Sequence, residues 1–307
     1  MGLQSQKNDG NEERHEISEP PGPKRLKKKR DAAVTGSPRQ ETQHYASEKP
    51  VAASVVHNSI WKHYDKLFAL QFGGGDYFTV AEKSAMNPEE SPVIIVKRIA
   101  GNDRIKTIQK IQHERFVRAQ EFFTAENAYF VAFEFMPLSI AEFMGHPLMN
   151  ELRLASILGQ VSDVALLMIP TDGMQVIDGL AYLERKSMQH GQLTCSNILV
   201  DSIGNVKLWG QEHCQVSSDM KADIRALGTI TMELIQGYAK TDGNIGLDKL
   251  ERWPRGMDFL AATECTSRVD ALVEENSLLS LPWNTKRIVG LFSLVNIWAS
   301  RGYKFPA

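Results

Sequence analysis

Apolar residues are sparse from residue 1 to about 55 and then return in two successive periods. From Ile60 to about Phe143 they come in short alternating or continuous runs, the pattern of strands buried on one or both faces. Leu67 to Phe72 leads into Gly73-Gly74-Gly75, and Tyr77-Phe78-Thr79-Val80 follows, which predicts a hairpin turned by glycine. Pro92 to Arg98 predicts a buried strand, Ile105 to Ile111 a short helix, and Tyr129 to Phe135 a further strand. Beyond Leu152 the spacing changes to three and four residues, notably in Val176 to Lys186 and Asp223 to Gln236, which predicts long amphipathic helices. A small strand pair, Ile198 to Val200 and Val206 to Leu208, is expected between them, turned through Ser202-Ile203-Gly204-Asn205. Strands first and helices after make an α+β chain with two lobes, about 60–136 and about 137–305, in one domain spanning 56–305.

Residues 1–55 are rich in Glu, Lys, Pro, Gly, Ser and Gln and cannot bury enough apolar surface to offset the entropy of ordering, so a disordered arm is expected. Its run Lys24, Arg25, Leu26, Lys27, Lys28, Lys29, Arg30 carries six cations in seven residues, a pattern read by import receptors and attracted to phosphate backbones. An import receptor is the expected partner and nucleic acid the weaker alternative; a solvated basic tail is the plainest reading. The formal net charge of −2 gives no whole-chain drive toward nucleic acid or acidic membranes. No run approaches the roughly 18 apolar residues of a membrane span. Cys195, Cys214 and Cys265 show no zinc spacing, so a soluble intracellular protein, nuclear or cytoplasmic, without bound metal is expected.

Three segments, in order, resemble the signature set of the eukaryotic protein kinases. Gly73 and Gly75 match the first two glycines of the phosphate-covering loop, Phe78 stands where the third belongs, and Val80 matches the valine beyond it. Val93-Ile94-Ile95-Val96-Lys97 resembles the strand that ends in the ATP-binding lysine. His190-Gly191-Gln192-Leu193-Thr194-Cys195-Ser196-Asn197 resembles the catalytic loop, with Asn197 at its magnesium-binding position. Asp223 to Leu234 resembles the central helix of the larger lobe, with its buried aspartate. The resemblance implies a bilobal protein-kinase-like fold and nominates Gly73, Gly75, Val80, Lys97 and Asn197 as nucleotide contacts. Taken alone, Lys97 has a solvated strand-end lysine as its lesser alternative, whereas Asn197 is as readily a turn cap.

The acids of phosphoryl transfer are missing. Gln192 stands at the base position, and Gly210, followed by Gln211 and Glu212, stands where the metal-binding aspartate belongs. Arg104 to Gln112 offers no acid to pair with Lys97, which predicts a loosely held lysine. Asp223 comes only 13 positions after Gly210, so the activation segment is shortened and its peptide platform largely lost. These substitutions imply no catalytic residues, no metal, and at most ATP bound weakly without magnesium. The expected function is that of a pseudokinase, a scaffold or allosteric binding module for an unidentified protein. The alternatives are an unorthodox active kinase, using Asn197 and Glu212 for metal, and a nuclear nucleic-acid-associated protein.

One segment conflicts with its flanks. Leu154 to Gln160 would run directly into Val176 to Leu183 as one amphipathic helix if residues 161–175 were absent. Val161-Ser162 can be encoded by GTAAGT, Thr171-Asp172 by a sequence containing CTGAC, and Gln175 by CAG. The fifteen residues are in frame, and a retained intron is expected, with a surface loop as the alternative.

Overall fold

The computed structural model describes residues 55–302, apart from 74–76, 85–91, 126–127, 160–175, 275 and 283. The arm up to residue 54 with its basic run, Gly75, and the suspected intron at 161–175 therefore lie outside the described residues.

The smaller lobe is built on β1 (Val55–Val56), β2 (Tyr64–Gln71), β3 (Tyr77–Lys83), β4 (Ile94–Ile99), β5 (Ala119–Ala125) and β6 (Ala128–Glu134). They form one sheet in the order β1-β5-β6-β4-β3-β2, antiparallel throughout except for β1, which lies parallel to β5. Strand β4 does not alternate in polarity because both of its faces are covered. Ile94 and Val96 pack with Ile60, Tyr64 and Phe123. Ile95 and Ile99 pack on the opposite face, with Ile105 and Ile108 of α1 (Asn102–Lys110). Period 2 places Lys97 on this second face, between Ile95 and Ile99.

The larger lobe contains β7 (Leu138–Ser139), α2 (Glu151–Leu158), α3 (Val176–Arg185), β8 (Met188–Gln189), β9 (Ile198–Val200), β10 (Val206–Leu208), β11 (Gln215–Val216), α4 (Lys221–Gln236), α5 (Pro254–Cys265), α6 (Val269–Val273) and α7 (Lys286–Gly302). The architecture is thus α+β and bilobal, as the two hydrophobic periods predict. The turn of the β9–β10 hairpin is held by Asp201, whose Oδ1 accepts from the backbone N–H of Ile203 at 3.0 Å and of Asn205 at 2.9 Å. Helix α4 runs through the core, burying Asp223, Ile224, Leu227, Ile230 and Leu234. Between Gly210 and α4 the shortened segment forms one 3-10 turn, Gln211–His213, and then β11, which pairs with β8.

Two features join the lobes. Leu208 of β10 donates its N–H to Arg115 O at 2.7 Å and accepts from Val117 N at 2.9 Å, binding the loop after α1 to the larger lobe. Lys207 Nζ meets Glu134 Oε1 at 2.6 Å, at the end of β6. Among the described residues no helix is long and apolar enough to cross a membrane.

Helix α2 ends at Leu158, followed by Gly159 at φ +110°, and α3 begins at Val176; the two helices touch. Because the apolar pattern of Leu154 to Gln160 would continue into Val176 to Leu183, the main transcript is expected to lack the 45 nucleotides for residues 161–175. Sequencing the cDNA checks this, and a main transcript retaining them overturns it.

Candidate functional site

The site is the cleft between the lobes, and its floor is built by α4. Asp223 is 1% exposed, yet both carboxylate oxygens are used: Oδ2 accepts from His190 N at 2.6 Å and Oδ1 from Gly191 N at 3.0 Å. A buried carboxylate bonded to two backbone donors fixes the loop 190–197 from beneath. His190 is fully buried and donates Nε2–H to Trp209 O at 2.9 Å, and burial lowers its pKa against the pull of Asp223. Asn197 spends its side-chain N–H on Gln192 O at 2.7 Å and its carbonyl on Trp209 N at 2.8 Å, so it caps the loop. Gln192 itself is exposed.

Lys97 is held firmly, contrary to the expectation of a loose lysine. Its ammonium pairs with Glu212 Oε1, a carboxylate supplied by the 3-10 turn after Gly210 and not by α1. The side chains are 15% and 3% exposed. Nζ also lies 4.7 Å from the ring centroid of Trp209 and 5.3 Å from that of Phe78, within range of the attraction between a cation and an aromatic face. Burial opposes ionisation of Glu212, but the Lys97 ammonium and its hydrogen bond outweigh it, leaving the carboxyl below its ordinary value. His213 Nε2 lies 3.4 Å from the same Oε1. Burial lowers the His213 pKa; Glu212 opposes this, while Lys97 and Arg104 add to it.

Gly210 adopts φ +94°, ψ 31°, a left-handed conformation that glycine accepts without strain. The 3-10 turn that follows packs against α1 and anchors to the smaller lobe, where Gln211 Nε2 donates to Val117 O at 2.6 Å.

The mouth of the cleft is narrowed by the chain itself. Phe72, just before the glycine turn, is 2% exposed, and its ring centroid lies 5.2 Å from that of Trp209; Phe78 lies 4.6 Å from Trp209. Gly73, at φ +56°, donates its N–H to Glu142 Oε1 at 3.2 Å. A Cβ there would come within 2.3 Å of Ser196 Oγ, so only glycine permits this descent onto the loop 190–197. Glu142 is fixed in turn by Ser139, whose N–H and Oγ lie 2.8 and 2.5 Å from Oε2. Val80 is fully buried in β3, opposite Ile95. Leu199 of the larger lobe packs in one cluster with Phe72, Ile95, Met136 and Trp209. What remains open is a pocket of about 290 Å³, walled by Phe72, Phe78 and Trp209 on one side and by Lys97, Gln192, Thr194, Ser196, Asn197 and His213 elsewhere.

Of the nominated residues, Lys97 and Asn197 line this pocket, Gly73 lies against Ser196 of the loop 190–197, Val80 is buried within the sheet, and Gly75 is outside the described residues. Sequence reasoning missed the partner of Lys97 because Glu212 is far away in sequence and the expected acid belongs to a helix. It also missed Phe72, Trp209 and Glu142; the aromatic flanks of Gly73 and Gly210 were the available signals. No group of three or more His, Cys, Asp or Glu suited to a metal ion occurs among the described residues.

Glu212→Gln strands a buried cation and is expected to destabilise the fold by about 3–5 kcal/mol, measured by urea unfolding. The double variant Lys97→Met, Glu212→Leu removes both charges and should recover most of that loss, which a double-mutant cycle reads directly. His190 and His213 both have folded-state pKa values below 6.5, so the unfolded chain binds the extra protons. Stability present above about pH 6.5 is therefore expected to be lost as pH falls below it, and His213→Gln should flatten that slope in a Tm-versus-pH series.

Residues 96–217 match the family model for protein tyrosine and serine/threonine kinase, a span from β4 to β11 that includes Lys97, Gln192, Asn197, Gly210 and Glu212. CTD kinase subunit alpha of Schizosaccharomyces pombe is 22% identical over 280 residues, covering 78% of this chain and 43% of that protein. Mitogen-activated protein kinase kinase kinase 1 of Arabidopsis thaliana is 28% identical over 136 residues, covering 44% of this chain and 20% of that protein. The chain therefore spans less than half the length of these curated relatives. With the bilobal fold, the buried Asp223 beneath the loop 190–197 and the order of the matched segments, these matches support a likeness to the protein-kinase-like superfamily.

Proposed function

We propose that this chain is a pseudokinase, a kinase-fold protein that binds a protein partner as a scaffold or allosteric module and does not transfer phosphate. The observation that carries this reading is the engagement of Lys97 by Glu212 beneath Phe78 and Trp209. Phosphoryl transfer needs that lysine held by an acid and further carboxylates on magnesium; here the lysine is held by the carboxylate that follows the metal position, which commits Glu212 to the lysine and not to a metal. Gln192 has no carboxylate with which to take a hydroxyl proton, and Gly210 has no side chain with which to hold a metal. A pocket of about 290 Å³ falls just below the usual range for small-molecule sites, roughly 300–1,000 Å³. ATP would have to draw Lys97 from Glu212 and lift the Gly73 turn from Ser196 and Glu142. On this reading it binds weakly, and without magnesium.

The basic run Lys24, Arg25, Lys27, Lys28, Lys29 and Arg30 is proposed to engage an import receptor, with the nucleus as the compartment and the cytoplasm as the alternative.

Adding about 1 mM ATP, with or without magnesium, is expected to leave Tm unchanged within about 1 °C, because a ligand stabilises only as far as it binds the folded state. Incorporation of radiolabelled phosphate that depends on magnesium and disappears in a Lys97→Met variant would overturn the proposal in favour of an unorthodox kinase.

A further inference from the structure

We infer that His213 is a proton-operated latch: neutral, it lets the turn Gln211–His213 hold Lys97 and α1, and charged, it competes for Glu212 and loosens both. The inference does not depend on whether the cleft transfers phosphate. Two basic side chains converge on one oxygen. Lys97 Nζ pairs with Glu212 Oε1, and His213 Nε2 lies 3.4 Å from the same atom. The other oxygen, Oε2, is buried without a hydrogen-bond partner among the described residues, so it relieves neither claim. A carboxylate with one oxygen in use holds one cation well, and a second charge beside it is compensated only in part.

The surroundings decide what the second charge does. The groups that face His213 are Glu212 on its own turn, Lys97 from β4, Arg104 from α1 and, across Gly210, His190 of the loop 190–197. With His213 protonated, three cations surround one carboxylate in a partly buried space, and separating them relieves the excess. Burial, with Lys97 and Arg104, accordingly holds the His213 pKa below its ordinary value against the pull of Glu212. Lys97 is kept in place by the rings of Phe78 and Trp209. His213 is the group free to leave, because its side chain is 24% exposed and borders the pocket, through which protons reach it. His190 is fully buried and bonded to Trp209 O.

The position of His213 gives this movement reach. It closes a turn of three residues, its N–H bonded to Gly210 O at 2.9 Å, and the other two residues carry the contacts to the smaller lobe, Gln211 with Val117 O and Glu212 with Lys97. The same turn packs against α1. A turn this short does not release one member without shifting the others, so departure of His213 loosens both contacts and the seat of α1. In the opened turn the imidazole is solvated and takes a proton near pH 6.5, whereas the closed turn keeps it neutral to lower pH, so acid favours opening.

The test is amide hydrogen exchange of the full-length chain at pH 7.5 and 5.5, read as protection factors so that the pH dependence of the chemical step cancels. Protection of α1 and of residues 211–216 should fall about tenfold at the lower pH, the factor by which a solvated imidazole of pKa about 6.5 favours the open turn one unit below it. Protection of α4 should fall far less. His213→Gln, which carries no charge, should keep high protection at both pH values, and His213→Lys, charged at both, should show low protection at both. Arg104→Gln removes one opposing cation and should move the midpoint of the fall to higher pH. A fall that persists in His213→Gln, a fall shared equally by α4, or protection that is unchanged or higher at pH 5.5 overturns the inference.

Discussion

The arrangement of the cleft depends on a single buried ion pair. Two charges taken from water must be satisfied by each other, and the cost of leaving either alone exceeds most single contacts in a protein. Lys97 and Glu212 meet that constraint at the junction of β4 and the turn after Gly210, with the rings of Phe78 and Trp209 closing over the cation. Once the lysine is committed there, the neighbouring features follow. The 3-10 turn sits under α1, Gln211 bonds to Val117, and the aromatic side chains pack where an open cleft would hold solvent or ligand. The same interaction ties β4 of the smaller lobe to the turn after Gly210.

The fold was largely legible in the chain because its two hydrophobic periods are strong and local. The hairpin around Gly73, the buried run at Ile94–Ile99 and the helices at Val176–Arg185 and Lys221–Gln236 each carry their own signal. Strand β5 carries none, because its sequence Ala-Gln-Glu-Phe-Phe-Thr-Ala alternates poorly and is a strand through its partner β6. Strand β1 is legible only from the edge it joins. The site divides in the same way. Absences at Gln192 and Gly210 could be read from position alone, whereas the pairing of Lys97 with Glu212 is a product of tertiary folding between residues remote in sequence. The narrowing at Gly73 depends on the distance to Ser196 and Glu142, which no period or motif encodes.

The apolar cluster beneath β4 connects parts that sequence order keeps apart. It includes Phe122 at the sheet edge, Ile105 and Ile108 of α1, Leu199 of the larger lobe and Trp209 beside the lysine. Close-packed interiors transmit displacement because there is little free volume to absorb it. Such a cluster provides a physical link between the edge of the sheet and the junction of the two lobes.

The left-handed backbone at Gly210 lets the chain enter the 3-10 turn Gln211–His213 directly after β10 and Trp209. That turn presents Glu212 to Lys97 and Gln211 to Val117 at the same time. One glycine conformation thus sets the reach of two contacts, so a change of backbone at this position would shift the ion pair and the anchor on the smaller lobe together.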